Sequence, residues 1–106
     1  MNPVDPRNAD IKVMINGTLY SRADARVSVF DSVVQGGDAV WEGLRVYDGR
    51  IASLDEHVRR LRDSAHALHF AEVPGDDAVK QAVFDTLDAN GMRDGAHVDI
   101  RQGMPE

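Results

Sequence analysis

Two dipeptides, Asn16-Gly17 and Asp48-Gly49, each sit between short runs rich in apolar residues, and they limit the fold more than anything else in the chain. Asn-Gly and Asp-Gly accept the positive φ angles of a two-residue turn, so each marks a β-hairpin. In the first hairpin Ile11, Val13 and Ile15 lead into the turn and Thr18-Leu19-Tyr20 lead out. In the second, Val40 to Tyr47 is the outgoing strand and Arg50 to Leu54 the return. A side-chain period of two puts Val40, Glu42, Leu44 and Val46 on one face of that strand, and Trp41, Gly43, Arg45 and Tyr47 on the other. Val27, Val29 and Phe30 suggest a further short strand ending at Asp31-Ser32, and Gly36-Gly37 permits a sharp bend ahead of the second hairpin.

Helical spacing takes over after the second hairpin. Ser53-Leu54-Asp55-Glu56 matches a capping box with Ser53 as N-cap. Val58, Leu61, Ala65 and Leu68 then form an apolar stripe. Val73-Pro74-Gly75 interrupts it, and Asp76 or Asp77 is expected to cap a second helix with Val79, Val83 and Leu87 on its buried face. Gly91 stands where a C-terminal glycine belongs, and Ala96 to Ile100 reads as a final strand. Grouped strands followed by helices predict an α+β fold: an antiparallel sheet built from two β-hairpins, with two helices packed on one side. Residues 1–10 are expected to be a flexible tail and residues 11–106 a single domain.

Composition narrows the function classes. With 106 residues, 42% hydrophobic and 28% charged, the chain has the make-up of a globular protein with room for one modest core. No apolar run approaches the length that spans a bilayer, and the N-terminus lacks the apolar segment of a secretory signal. Cysteine is absent, so no disulfide or thiolate metal site is expected, in keeping with a cytoplasmic setting. The net charge of −6 speaks against nucleic acid as a partner. No P-loop, zinc-protease or nucleophile-elbow motif is present. His66 and His69 are three apart on one predicted helix, but no carboxylate follows at a matching step, so they read as solvated residues and no metal is expected.

Two residues stand out as candidates. At about 100° per residue, Arg60 falls about 120° from the centre of the apolar stripe, with His57 and Ser64 between. An arginine there can lie along the core and present its planar fork to a carboxylate or phosphate. The plainer alternative is a surface pair with Glu56 or Asp63. Trp41, beside Gly43 and Arg45 on one strand face, either lines a pocket for an anionic ligand or packs in the core. Neither residue, on these grounds, names a function.

The motifs go further. The run Val29-Phe30-Asp31-Ser32-Val33-Val34-Gln35-Gly36-Gly37-Asp38-Ala39-Val40-Trp41-Glu42-Gly43-Leu44-Arg45-Val46-Tyr47-Asp48-Gly49-Arg50-Ile51 and the following Leu54-Asp55-Glu56-His57-Val58-Arg59-Arg60-Leu61-Arg62-Asp63-Ser64-Ala65 closely resemble class IV aminotransferases. Upstream, Ile15-Asn16-Gly17 resembles the start of that family's first hairpin, and the resemblance extends from about Ile11 to His97. These are the fold-type IV pyridoxal-phosphate enzymes, which include branched-chain and D-amino-acid aminotransferases and aminodeoxychorismate lyase. The resemblance implies the α+β small domain of such an enzyme, pyridoxal 5′-phosphate as cofactor, an amino acid and a 2-oxo acid as substrates, and a homodimer. It also implies that Arg60, in His57-x-x-Arg60-Leu61, holds the cofactor's phosphate, and that Trp41, before Glu42-Gly43, lines the substrate side.

Two departures accompany it. The family forms a Schiff base through a lysine well downstream of these motifs, whereas this chain carries only Lys12 and Lys80, and neither matches. No catalytic residue is therefore assigned, and the chain reads as a truncated N-terminal small domain, inactive by itself. Asp99 stands where the family often has arginine, and His97, Asp99 and Arg101 receive no role. The alternatives are a fragment of a lyase that eliminates pyruvate, and a non-enzymatic remnant that only self-associates.

Overall fold

The computed structural model describes residues 5–37, 39–70 and 72–103. The first hairpin pairs β1 (Lys12–Ile15) with β2 (Thr18–Ser21), Ile15 opposite Thr18. Both turn residues have positive φ, 50° at Asn16 and 82° at Gly17, as the Asn-Gly signal requires. The second hairpin joins β3 (Ala39–Tyr47) to β4 (Arg50–Ile51) through Asp48 and Gly49, at φ 51° and 75°. Its return strand is shorter than expected, because Ser53 turns left-handed at φ 55° and starts a helix.

The α+β class holds, but the two hairpins do not share one sheet. β5 (Ala96–Gly103) outruns its expected end at Ile100 and pairs with β3 from Val46–Ala96 to Ala39–Gly103. The resulting sheet has the order β4-β3-β5, so both edges of β3 are taken. The first hairpin forms a separate two-stranded sheet. Asn90 ties it to the last helix, accepting from the Lys12 N–H at 2.6 Å and donating to the Lys12 carbonyl at 3.0 Å.

No strand forms at Val27, Val29 and Phe30, which are 61%, 67% and 75% exposed. A strand needs a neighbouring edge for its backbone groups, and local side chains offer an alternative here. Ser28 Oγ accepts from the Phe30 N–H at 3.0 Å, and Asp31 caps a short helix, α1 (Ser32–Gln35), by accepting from the Val33 N–H at 2.9 Å. Within the expected N-terminal tail, Met1–Val4 lie outside the described residues, and Pro6–Asn8 form a 3-10 turn capped by Asp5.

The capping expectations fail at both long helices. Ser53 occupies the N-cap position of α2 (Leu54–Ala67), but its side chain makes no capping hydrogen bond. Gly75 caps α3 (Asp76–Asn90), leaving Asp76 and Asp77 in the first turn. Asp76 is engaged elsewhere: its Oδ1 accepts from Arg62 Nη1 at 2.7 Å, while Arg62 Nε donates to the Pro74 carbonyl at 3.0 Å. Acidic residues in a first turn still favour the helix through its dipole.

The C-terminal closures are clear. Gly91, at φ 62°, ends α3 as expected, and the Met92 N–H bonds back to the Leu87 carbonyl at 3.1 Å. At the end of α2 the His69 N–H reaches the His66 carbonyl and the Phe70 N–H reaches the Ala65 carbonyl, each at 3.0 Å. This is a Schellman closure with His69, at φ 60°, in the position glycine favours. His69 thus lies beyond the helix and shares no ligand face with His66. Leu68, 46% exposed, also falls past the helix end rather than in the buried stripe. A left-handed conformation costs a residue with a Cβ roughly 1–2 kcal/mol, partly offset by glycine's greater chain entropy. His69→Gly is therefore expected to stabilise the fold by about 0.5–1 kcal/mol. A thermal melt checks it, and an unchanged or lower midpoint would show that the imidazole makes contacts worth the strain.

The core lies between the inner face of the β3 sheet and the two long helices. Val40, Leu44 and Val46 meet Val58, Leu61 and Ala65 of α2 and Val79, Val83 and Leu87 of α3, all buried. Leu54 and Ile100 pack against both halves of this core. The face assignment made from the period of two is the one observed: Trp41 and Tyr47, on the outer face, are 64% and 54% exposed.

Candidate functional site

Among the described residues one charged side chain is buried within this apolar layer. Glu42 sits on the inner face of β3 between Val40 and Leu44, 7% exposed. A carboxylate in that position needs hydrogen-bonding partners. α2 supplies them from His57 and Arg60, three residues apart and hence on one side of the helix. His57 Nδ1 lies 2.7 Å from Glu42 Oε1, a contact in which the ring nitrogen donates to the carboxylate. Arg60 Nε donates to Oε1 and Oε2 at 3.1 and 3.0 Å, and Arg60 Nη2 donates to Oε1 at 2.7 Å.

The electrostatics follow from this geometry. The Arg60 hydrogen bond holds the Glu42 carboxyl below its ordinary range, outweighing burial, which pushes it up, and His57 adds to the lowering. The Arg60 guanidinium is in turn pushed higher by Glu42. The environments of the two partners differ sharply: the Glu42 side chain is 8% exposed and that of Arg60 69%. Nε and one Nη2 proton form the side-on edge of the guanidinium, and that edge is spent on Glu42. The end-on edge remains: the Arg60 Nη1 donors meet no acceptor among the described residues. Arg60 lines an open depression of about 360 Å³ together with Ser53, Glu56, His57, Arg59 and Asp63.

Arg60 therefore takes a carboxylate partner, but not Glu56 or Asp63, the partners its position on the helix suggested. Motif and spacing alone do not assign Glu42 to the site. The signal was present: an acid in the inward register of Val40, Glu42, Leu44 and Val46 has to be met by a donor, and Arg60 was already placed at the edge of the facing stripe.

Trp41 lies elsewhere. It is exposed on the outer face, so it does not pack in the core, and the β3 sheet separates it from Arg60. Across the strand pair Trp41 faces Arg101, Gly43 faces Asp99 and Arg45 faces His97. His97 Nε2 is 2.9 Å from Asp99 Oδ1, and Arg101 Nη2 is 3.6 Å from Asp99 Oδ2. A Cβ at position 43 would come within 3.1 Å of His97 Cε1, so glycine there leaves space for the imidazole. Neither lysine lines the depression beside Arg60: Lys12 is in the first hairpin, and Lys80 pairs with Asp55. Among the described residues no three His, Cys, Asp or Glu side chains are grouped to hold a metal, and no helix is long and apolar enough to cross a membrane.

Comparison with known proteins places the chain in a family. The family model described as amino-transferase class IV matches residues 39–102, the stretch that holds Trp41, Glu42, His57 and Arg60. The chain is 54% identical over 93 residues to the branched-chain-amino-acid aminotransferase-like protein 1 of Arabidopsis thaliana, covering 88% of this chain and 17% of that protein. It is 35% identical over 85 residues to the D-alanine aminotransferase of Bacillus licheniformis, covering 80% of this chain and 30% of that protein. Its fold superposes on the branched-chain amino acid aminotransferase from Escherichia coli at a TM-score of 0.81 and 26% identity, covering 90% of this chain and 33% of that one. The chain thus spans about a third or less of the length of each. With the family match running from β3 through α2 and α3 to β5, the chain belongs to the class IV aminotransferase family.

Proposed function

We propose that this chain is the N-terminal small domain of a pyridoxal-phosphate enzyme that moves an amino group between an amino acid and a 2-oxo acid. The observation that carries the reading is an exposed Arg60 that lines an open depression, tied by its side-on edge to a buried carboxylate and left with its end-on donors unspent. Parallel N–H donors in a fixed plane suit a phosphate dianion, and Ser53 and Arg59 add a hydroxyl and a second cation to the same lining. Glu56 and Asp63 border it as well, so selectivity for a phosphate rests on the oriented donors more than on net charge. Pyridoxal phosphate, when bound, supplies an electron sink for the substrate's α-carbon. This chain's part is to anchor the phosphate through Arg60 and, in our reading, to line the substrate side with Trp41. We further infer a homodimer in the cytoplasm, the latter in keeping with the absence of cysteine.

The amine that engages the cofactor is assigned to neither Lys12 nor Lys80, neither of which lines the Arg60 depression. The complete gene product, supplied with pyridoxal 5′-phosphate, is expected to transfer amino groups from a panel of L- and D-amino acids to 2-oxo acids. The 106 residues alone are expected to give no turnover and no visible cofactor band that responds to added amino acid. Absence of transfer by the complete product over the whole panel would refute the proposal. Turnover by the short chain would refute the exclusion of its two lysines.

A further inference from the structure

We infer that Glu42 is the positioning residue for the anion grip: it aims Arg60 rather than merely neutralising it. The inference rests on the reading of Arg60 as the phosphate anchor. Glu42 comes from β3 and Arg60 from α2, eighteen positions away in the chain, so the contact fixes an exposed side chain to the most buried layer of the domain. Three N–H···O contacts between 2.7 and 3.1 Å lock the guanidinium plane from its side-on edge. His57, 2.7 Å from the same Oε1, leaves the carboxylate less room to turn. An unanchored arginine that is 69% exposed would sample many rotamers and lose that freedom on binding. With the side-on edge tied down, Nη1 and the second Nη2 proton are the donors left to a ligand in the depression that Arg60 lines.

Charge alone argues the other way. Glu42 and Arg60 together carry no net charge, so the pair offers an anion oriented donors and little Coulomb attraction. Removing the carboxylate's charge makes the site more positive by one unit, which by electrostatics alone would tighten anion binding. The same sign would follow if Arg60 were parked on Glu42 and had to be released before binding. Positioning predicts the opposite, and the sign of the effect separates the two accounts.

The test uses the complete gene product stripped of cofactor. Binding of 4′-deoxypyridoxine 5′-phosphate, which keeps the phosphate but has no aldehyde to react with an amine, is followed by titration calorimetry at neutral pH. Inorganic phosphate serves as a second probe. Glu42→Gln is expected to weaken both by about tenfold, the equivalent of one charge-assisted hydrogen bond, despite the gain in positive charge. Glu42→Asp keeps the charge but draws the carboxylate back by one methylene. It is expected to weaken binding by a similar factor, and it decides the matter if Glu42→Gln does not fold in a thermal melt. Unchanged or tighter binding in a folded variant overturns the inference. Arg60→Ala, measured alongside, keeps the two claims apart. If it leaves both affinities unchanged, the reading of Arg60 as anchor fails. If it weakens them while the Glu42 variants do not, only the positioning role fails.

Discussion

Arg60→Ala is expected to weaken pyridoxal 5′-phosphate binding by the complete gene product about ten- to a hundredfold, the range of a lost charge-assisted phosphate contact. The neighbouring arginines make internal controls because the fold gives each a different task. Arg59 lines the same depression but is exposed and has no hydrogen-bonded partner among the described residues to hold it. Arg59→Ala therefore removes charge but no fixed donor, and its effect is expected to be small. Arg62 points to the loop before α3, bonding the Pro74 carbonyl and Asp76. Arg62→Ala should lower stability by roughly 1 kcal/mol with little change in cofactor affinity. Dialysis of the three variants against pyridoxal 5′-phosphate, with a melt of each, checks the ordering. Similar affinities in all three would remove Arg60 from the phosphate site.

Leu44→Ala is expected to cost about 3–5 kcal/mol, the usual range for a leucine deleted from a core that cannot collapse around the gap. Leu44 has no exposed surface and packs among Val46, Val83 and Leu87, where the sheet meets α3. A small domain has a total stability of about 5–15 kcal/mol, so much of the folded population should be lost. Trp41→Ala, three positions away on the same strand, removes far more atoms yet should cost less than about 1 kcal/mol, since surface substitutions seldom cost more. Trp41 is 64% exposed on the opposite face. Urea unfolding of the two variants tests both statements. A Leu44→Ala loss under about 1 kcal/mol, or a Trp41→Ala loss as large as that of Leu44→Ala, would mean the core lies on the other side of the sheet.

The contrast between Leu44 and Trp41 shows what the order of residues alone determined. Asn16-Gly17 and Asp48-Gly49 marked both hairpin turns, because the positive φ angles there depend on a few adjacent residues. The alternation along Val40 to Tyr47 assigned both faces of β3, and the spacing of Val58, Leu61 and Ala65 assigned the buried face of α2, since both follow from backbone periodicity. The two adjoining motifs pointed to the family that residues 39–102 match.

Tertiary structure decided everything that needed a distant partner. β5 claims the free edge of β3, and that pairing splits the hairpins into two sheets. The apolar run at Val27, Val29 and Phe30 has a strand's composition but no edge to join, and Asp31 turns it into a helix cap instead. Ser53 and Asp76 carry the side chains of N-caps, yet one adopts a left-handed backbone and the other is drawn to Arg62. Glu42 meets Arg60 and His57 across eighteen and fifteen positions. Local turn chemistry and periodicity are written in neighbouring residues. The partner of a strand edge or of a buried charge depends on the path of the whole chain, because only that path brings Arg60 within reach of Glu42.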